Sequence, residues 1–201
     1  MSKTILRIFF FALISMQAVR SQNKIIDSLK QVVKENTSDS LKIKAYCDLC
    51  WHYRNIDIDS AFIFGNWALK LSKESNNLIG EAQAYNDIGI LHYSLAKFDE
   101  SIKYYKKSLL IRENLKDTLG IASLYNKLGI SYQRVFKMDS AIFYATKALK
   151  IYEDKNNVKY AATIKNNIAN IYQNLKQYRK ALNAHLEIAE TYQEINDFQG
   201  L

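Results

Sequence analysis

The sequence predicts an all-α fold, a right-handed α-solenoid built from antiparallel helix pairs. The first observation is a unit of 40 residues that recurs four times, with one column of small residues at Ala61, Ser101, Ala141 and Ala181. A fixed period of this size is typical of stacked repeats. The second is the absence of proline and the presence of only six glycines, which suits helices joined by brief turns. The third is that no run alternates apolar and polar residues between turn signals, as a strand would.

Residues 1–21 have the pattern of a secretory signal peptide. Lys3 and Arg7 form a positive start, and an apolar stretch follows from Ile8 to Met16. Val19 and Ser21 then stand at the −3 and −1 positions of a cleavage site before residue 22. The stretch is shorter than the roughly 20 residues that a spanning helix needs. We therefore expect an exported, periplasmic or extracytoplasmic protein, with an uncleaved anchor segment as the alternative.

Residues 22–40 are predicted to form an N-terminal capping helix and a turn. The apolar side chains of this helix follow helical spacing and lie at Ile25, Ile26, Leu29, Val32 and Val33. Leu29 precedes Leu69 by one period, so the helix takes the place of a second helix in a missing unit. Either Asp39 or Ser40 is expected to cap the helix that follows.

Residues 41–197 are predicted to form four repeats, at about 41–78, 79–118, 119–158 and 159–197. The first helix of each repeat carries its packing residues at i, i+3, i+4 and i+7. In the second and third repeats the third slot is a glycine, Gly89 and Gly129. Because glycine costs about 1 kcal/mol in a helix interior relative to alanine, these two glycines indicate close helix packing. Cys50 takes this slot in the first repeat, if its turn is one residue shorter.

The second helices are expected to start near Ile58, Phe98, Met138 and Tyr178 and to run to about Ser75, Leu115, Lys155 and Ile195. Asp99 and Asp139 fall in the first turn, where a carboxylate favours the helix dipole. A column of Asn77, Asp117, Asn157 and Asp197 follows these helices. Such residues supply turn and capping chemistry.

These columns resemble the tetratricopeptide repeat pattern over residues 41–197. In the third repeat the matching residues are Tyr125, Leu128, Gly129, Tyr132, Ala141, Ala148 and Leu149. The period of 40 exceeds the family's usual 34, and the family's proline near the end of the second helix is missing. Longer repeats of this kind look like those of kinesin light chains and bacterial sensor proteins. The resemblance implies a superhelix with an inner wall that binds other proteins.

Residues 198–201 look like the start of a truncated fifth repeat, because Gly200 aligns with Gly80 and Gly120. Solenoids need a terminal repeat with a polar outer face. The last helix instead carries Leu182, Leu186, Ile188 and Tyr192. We expect a fragment of a longer protein, with self-association through the uncapped repeat as the alternative.

No residue pattern indicates catalysis, a cofactor or a metal. The three histidines lack metal-ligand spacing, and His92 occupies an aromatic packing slot. Cys47 and Cys50 form a C-x-x-C without the strands of a redox fold, so we interpret them as structural, with an i, i+3 disulfide as the strained alternative. Removal of Lys3, Arg7 and Arg20 lowers the net charge from +8 to +5. The remaining lysines alternate with acids, which favours a solvated surface over nucleic-acid binding.

The candidate binding surface is the face of the first helices that is opposite their packing face. Asn86, Asn126 and Asn166 form a column on it, although asparagine is a poor helix former. An amide both donates and accepts hydrogen bonds, so a stack of amides can pair with the backbone of an extended peptide. The alternative is that the amides bond neighbouring helices or water. The whole predicted groove comprises Trp51, Gln83, Asn86, Ile90, Tyr93, Asn126, Ile130, Gln133, Arg134, Asn166, Asn170, Gln173 and Asn174.

Two functions fit these features. The first is an exported scaffold, not an enzyme, that binds a protein or an extended peptide segment in its concave groove. The second is a truncated extracytoplasmic sensor region of a bacterial signalling protein, a histidine kinase or a transcriptional regulator. In that case the chain would meet the membrane only through a missing downstream segment, and any kinase activity would belong to a missing output domain.

Overall fold

The computed structural model of the chain describes residues 23–35 and 37–199, with side chains as far as residue 190. The predicted signal peptide at residues 1–21 lies outside the described residues, as do Gly200 and Leu201. Every regular element of the described ranges is a helix, and none is a strand. This confirms the all-α fold class.

The described elements follow one another with short connections. The first helix, α1, spans residues 23–34. The others are α2 (Asp39–Tyr53), α3 (Ile58–Glu74), α4 (Leu78–Ser94), α5 (Phe98–Asn114), α6 (Thr118–Arg134), α7 (Met138–Asp154), α8 (Val158–Asn174) and α9 (Tyr178–Gln199). The second helices begin at the four predicted residues. The first three end one residue before the predicted position, whereas α9 continues four residues beyond Ile195.

The described residues divide into two compact units, one that ends at Asp87 and one that begins at Ile88. In the first unit α2 packs on α3. A small core there is formed by Ile43, Cys47, Ala68 and Ala84. In the second unit α5 packs on α6, α6 on α7, α7 on α8 and α8 on α9. Its larger core includes Ile102, Tyr105, Leu124, Leu128, Ala145 and Ile164.

Six connections share one backbone turn, repeated every 20 residues. Within the described ranges, the residues with positive φ are Asn76, Ala96, Lys116, Phe136, Asn156 and Lys176, with φ between 51° and 58°. The N–H of the following residue donates to the carbonyl five residues earlier, as from Asn77 to Ser72 at 2.8 Å and from Asp117 to Arg112 at 3.0 Å. This left-handed residue with its 6→1 bond is the Schellman motif, which satisfies the last carbonyls of a helix. The 40-residue period therefore consists of two 20-residue halves with equal turns.

Three members of the predicted asparagine and aspartate column cap first helices, whereas the fourth, Asp197, lies within α9 and not in the expected turn. Asn77, Asp117 and Asn157 accept hydrogen bonds from the N–H groups of Gly80, Gly120 and Tyr160 at 2.9, 3.0 and 3.4 Å. The prediction for α2 was wrong: the cap is Ser38, whose hydroxyl accepts from Leu41 N–H at 3.4 Å, and not Asp39 or Ser40. An N-cap residue has extended backbone geometry and directly precedes the helix. Ser38 has that geometry, whereas Asp39 is already helical.

Small residues allow the paired helices of each repeat to approach closely. Gly129 is buried, and a β-carbon added to it would lie 3.3 Å from the Ala145 nitrogen. A β-carbon on Gly89 would lie 2.6 Å from a ring atom of Tyr105. In the first repeat, the Cys50 thiol forms a hydrogen bond with the backbone of Gly65, which is the residue equivalent to Tyr105 and Ala145. The expected packing role of Gly89 and Gly129 is therefore confirmed, and Cys50 occupies the same slot.

Candidate functional site

In the first unit, Trp51 presents a half-exposed indole on the surface of α2. It is 49% exposed, and the guanidinium carbon of Arg54 lies 3.3 Å from its ring centroid. Arg54 Nη1 also donates to the Trp51 carbonyl at 3.0 Å. The guanidinium thus covers one face of the indole.

Three polar side chains of α4 form a cluster centred on Asp87. Asp87 Oδ1 accepts from Gln83 Nε2 at 2.8 Å and from Asn86 Nδ2 at 2.9 Å. Asn86 is 7% exposed, and its Oδ1 has no hydrogen-bond partner among the described residues. The sequence prediction included Gln83 and Asn86 but missed Asp87, although the i, i+4 spacing of Gln83 and Asp87 was a usable signal.

In the second unit, Tyr93 and Arg134 come together from two predicted groove positions. Arg134 Nε donates to the Tyr93 hydroxyl at 3.1 Å. The Tyr93 ring packs edge-on against Phe98, with ring centroids 5.2 Å apart. Arg134 is exposed, so this pair places a cation and a phenol side by side at the surface.

Asn126 forms a hydrogen bond with a neighbouring first helix, through a residue that is not in the predicted column. Its Oδ1 accepts from Asn167 Nδ2 on α8 at 2.9 Å. Asn166, the predicted member of the column, is exposed on the same helix. Hydrogen bonding to a neighbouring helix was one of the two interpretations of the amide column, and it applies to Asn126.

The α8 helix carries an array of amides on one face. Asn166 and Asn174 are exposed, Asn170 is half-buried, and Gln173 Nε2 lies 3.4 Å from His185 Nε2. These four residues fall at i, i+4, i+7 and i+8, which is one face of a helix. Among the other predicted groove residues, Ile90 packs against the core of the second unit, and Ile130 and Gln133 are half-buried.

The residues with reactive side chains serve packing. The His92 ring stacks on Tyr104 with centroids 5.0 Å apart, and burial lowers the pKa of its imidazole. Cys47 and Cys50 are free and buried. Burial, with the nearby Asp87 carboxylate second, raises the pKa of Cys50 to about 12 and raises that of Cys47 further. Neutral buried thiols are poor nucleophiles, which fits their structural interpretation.

The described part of the chain lacks both a metal-binding cluster and a helix suited to a membrane. No group of three or more His, Cys, Asp or Glu residues there is placed to hold a metal ion. Within the same ranges, no helix combines the length and the apolar character that crossing a membrane requires.

Comparison with known families agrees with the repeat geometry. Two family models described as tetratricopeptide repeat match residues 80–154 and 161–197, together more than half of the chain. The chain belongs to the tetratricopeptide repeat family. The resemblance seen in its columns is thereby confirmed.

Solved structures of tetratricopeptide repeat proteins share this fold. BtubC from P. vanneervenii is 21% identical, with a TM-score of 0.78 over 90% of this chain and 76% of that one. A signal transduction ATPase with a tetratricopeptide repeat sensor, from Pyrococcus horikoshii, is 19% identical, with a TM-score of 0.81 over 94% of this chain and 29% of that one. A Rap protein complexed with competence and sporulation factor is 16% identical, with a TM-score of 0.74 over 90% of this chain and 52% of that one.

These similarities establish that this tetratricopeptide repeat protein has the α-solenoid fold. The chain spans less than a third of the Pyrococcus protein and about half of the Rap protein. No curated protein sequence matches it significantly.

Proposed function

We propose that this tetratricopeptide repeat protein is an exported, non-catalytic scaffold that binds an extended segment of another protein through the polar faces of its first helices. The observation that carries the proposal is the amide array of α8, where Asn166 and Asn174 are exposed at helical spacing. Exposed amides can donate to and accept from an extended backbone. Arg134 beside Tyr93 adds a cation that an acidic side chain of the segment would pair with.

The solved relatives support a binding role. The Rap protein structure is a complex with competence and sporulation factor. Side-chain amides also suit a partner that is recognised mainly through its backbone. They can pair with the backbone donors and acceptors of the partner without requiring a particular side chain on it. A helix face that serves only solvation would more usually carry lysine and glutamate than four amides.

The test uses a phage-displayed library of random 12-residue peptides selected on the protein. We expect selected peptides to bind the N166A/N174A variant, which removes the two exposed amides of the array, at least tenfold more weakly. The matched control is N114A/N183A, which removes two exposed amides from second helices and should leave the affinity unchanged. If the selected peptides bind the wild type, the α8 variant and the control variant equally, and circular dichroism shows that the fold is intact, the proposed binding surface on α8 is wrong.

Export is proposed from residues 1–21 and needs its own experiment. Residues 1–30 fused to an alkaline phosphatase that is active only outside the cytoplasm should give an active enzyme. Replacement of Ile8 and Phe9 by aspartate should abolish that activity. An inactive wild-type fusion would remove the export part of the proposal and leave the binding part intact.

A second candidate function is the extracytoplasmic sensor region of a signalling protein. The observation that favours it is the similarity to the Pyrococcus signal transduction ATPase, whose repeats are described as its sensor. The sequence of the gene beyond codon 201 decides the matter. A spanning segment followed by a kinase or a regulator would support the sensor, whereas a stop codon would exclude it.

A further inference from the structure

A cleft of about 240 Å³ opens beside the turn between α7 and α8, in the second unit. Glu153 and Lys165 lie on its polar side, with Asn157 next to them. Val158, Ala161 and Ala162 form its apolar side. None of these residues belongs to the predicted groove. The volume is below that of a typical pocket for a drug-sized ligand, so the cleft suits a single side chain.

In the preceding repeat, larger side chains occupy the space that corresponds to the cleft. One period earlier, the equivalents of Glu153, Ala161 and Lys165 are Glu113, Ile121 and Tyr125. Tyr125 and Ile121 pack against the core of the second unit. The Tyr125 hydroxyl donates to Glu113 Oε1 at 3.3 Å. A phenol ring therefore occupies the space, and a glutamate accepts the hydrogen bond of its hydroxyl.

The fourth repeat keeps the glutamate but loses the two bulky side chains. Ala161 replaces an isoleucine, and Lys165 replaces the tyrosine. The ammonium of Lys165 lies 3.3 Å from Glu153 and 4.0 Å from Glu187. Its thin aliphatic chain does not fill the volume of a ring, and the cleft is the space that remains.

We propose that this cleft receives a tyrosine side chain of a partner polypeptide. The ring would lie against Val158, Ala161 and Ala162, and its hydroxyl would donate to the Glu153 carboxylate, as Tyr125 does to Glu113. The Lys165 ammonium would stand beside the ring face. In the preceding repeat a lysine also approaches the tyrosine ring, although from another position: Lys147 Nζ lies 5.3 Å from the centroid of Tyr125, and the residue one period after Lys147 is Glu187. The proposal does not depend on the α8 amide surface.

The test measures binding of a capped heptapeptide with one central tyrosine between glycines and serines, and of its phenylalanine counterpart. The methyl NMR signals of Ala161 and Ala162 report on the cleft. We expect saturable shifts with the tyrosine peptide and at least fivefold weaker binding of the phenylalanine peptide. Absence of saturable shifts, or equal binding of the two peptides, would overturn the proposal. Binding of p-cresol without binding of the tyrosine peptide would also overturn it, since the site would then take a free phenol.

Two variants separate the cleft from nonspecific association. The A161I/K165Y variant restores the pattern of the preceding repeat and should abolish the shift of the Ala162 methyl signal, which is the reporter that it retains. The control K150Y places the same new ring on the exposed face of α7 and should bind the tyrosine peptide normally. Unchanged binding by A161I/K165Y would overturn the proposal. If that variant does not fold, Glu153→Leu gives the answer, because it removes the hydrogen-bond acceptor and should therefore remove the preference for tyrosine over phenylalanine.

Discussion

Gly89 lies against the ring of Tyr105, so closely that a β-carbon on Gly89 would stand 2.6 Å from Tyr105 Cε1. Tyr105 is 2% exposed and belongs to the core of the second unit, so its ring has little room to withdraw. Gly129 occupies the same position of the next repeat, where the added carbon would be 3.2 Å from the Ala141 carbonyl oxygen and 3.3 Å from the Ala145 nitrogen. The atoms of the second helix that face this glycine position thus determine how large a side chain the position tolerates.

Gly89→Ala should lower the free energy of unfolding by about 1–3 kcal/mol, even though alanine is the better helix former by about 1 kcal/mol. Urea denaturation followed by circular dichroism measures it. The control is Thr146→Ala at an exposed site of α7, expected within about 0.5 kcal/mol of wild type. In a double-mutant cycle, Gly89→Ala should cost less in a Tyr105→Ala background, because the ring is gone. Strictly additive effects would contradict the steric explanation.

Phe136→Gly should stabilise the protein by about 1 kcal/mol. Phe136 has φ 58° and is 83% exposed, so it adopts a left-handed conformation while burying little apolar surface. That conformation costs a residue with a β-carbon roughly 1–2 kcal/mol, and glycine avoids the cost. Denaturant titration provides the measurement. Phe143→Gly is the matched control, since Phe143 is half-exposed within α7 and the same change should destabilise. A loss of stability in Phe136→Gly would show that the phenyl ring makes a contact worth more than the strain.

Lys137→Asp should raise the free energy of unfolding by about 1 kcal/mol. Lys137 is the N-cap of α7, and no side chain caps that helix. An aspartate would accept a hydrogen bond from the first turn, and its charge would suit the helix dipole where lysine opposes it. Thermal and urea unfolding would report the gain.

The same substitution at the other end of the same helix serves as the control for Lys137→Asp. Lys155 is the C-cap of α7, where a cation is favourable, so Lys155→Asp should be destabilising. Equal effects of the two substitutions would mean that net charge, and not capping, governs stability.

The helical framework was predictable because it follows from repeated local signals. The starts of α3, α5, α7 and α9 and the capping by Asn77, Asp117 and Asn157 depend on residues within a few positions of one another. The cap of α2 was mispredicted because Ser38, Asp39 and Ser40 are all good capping residues, and only the backbone conformation distinguishes them.

The details of the candidate site depend on which side chains meet, and a period alone does not determine that. Asn126 bonds to Asn167, one position from the expected column, because the amide rotamers and the offset of α6 and α8 select that partner. The burial of Asp87 likewise reflects packing around α4. The cleft could have been predicted from the sequence, because comparison of residues 121 and 125 with residues 161 and 165 shows that two bulky side chains are lost.

The two cysteines should make stability fall above pH 9. Their pKa values are raised on folding, chiefly by burial, from an ordinary value of 9.0 to about 12 for Cys50 and further for Cys47. The folded protein therefore keeps protons that the unfolded chain releases. A raised pKa contributes stability that is complete below pH 9 and is lost as the pH rises toward the folded pKa.

Each thiol should steepen the decline by about 1.4 kcal/mol per pH unit between about pH 9.5 and 11. Lysines and tyrosines titrate in the same range, so the comparison is with the C47A/C50A variant, whose profile should be flatter. Urea denaturation at pH 8, 9.5, 10 and 10.5 gives the two slopes. In parallel, native thiols should react with iodoacetamide at pH 8.5 at least 100-fold more slowly than those of the urea-unfolded chain. Equal slopes, together with fast alkylation of the native protein, would mean that Cys47 and Cys50 are exposed to solvent.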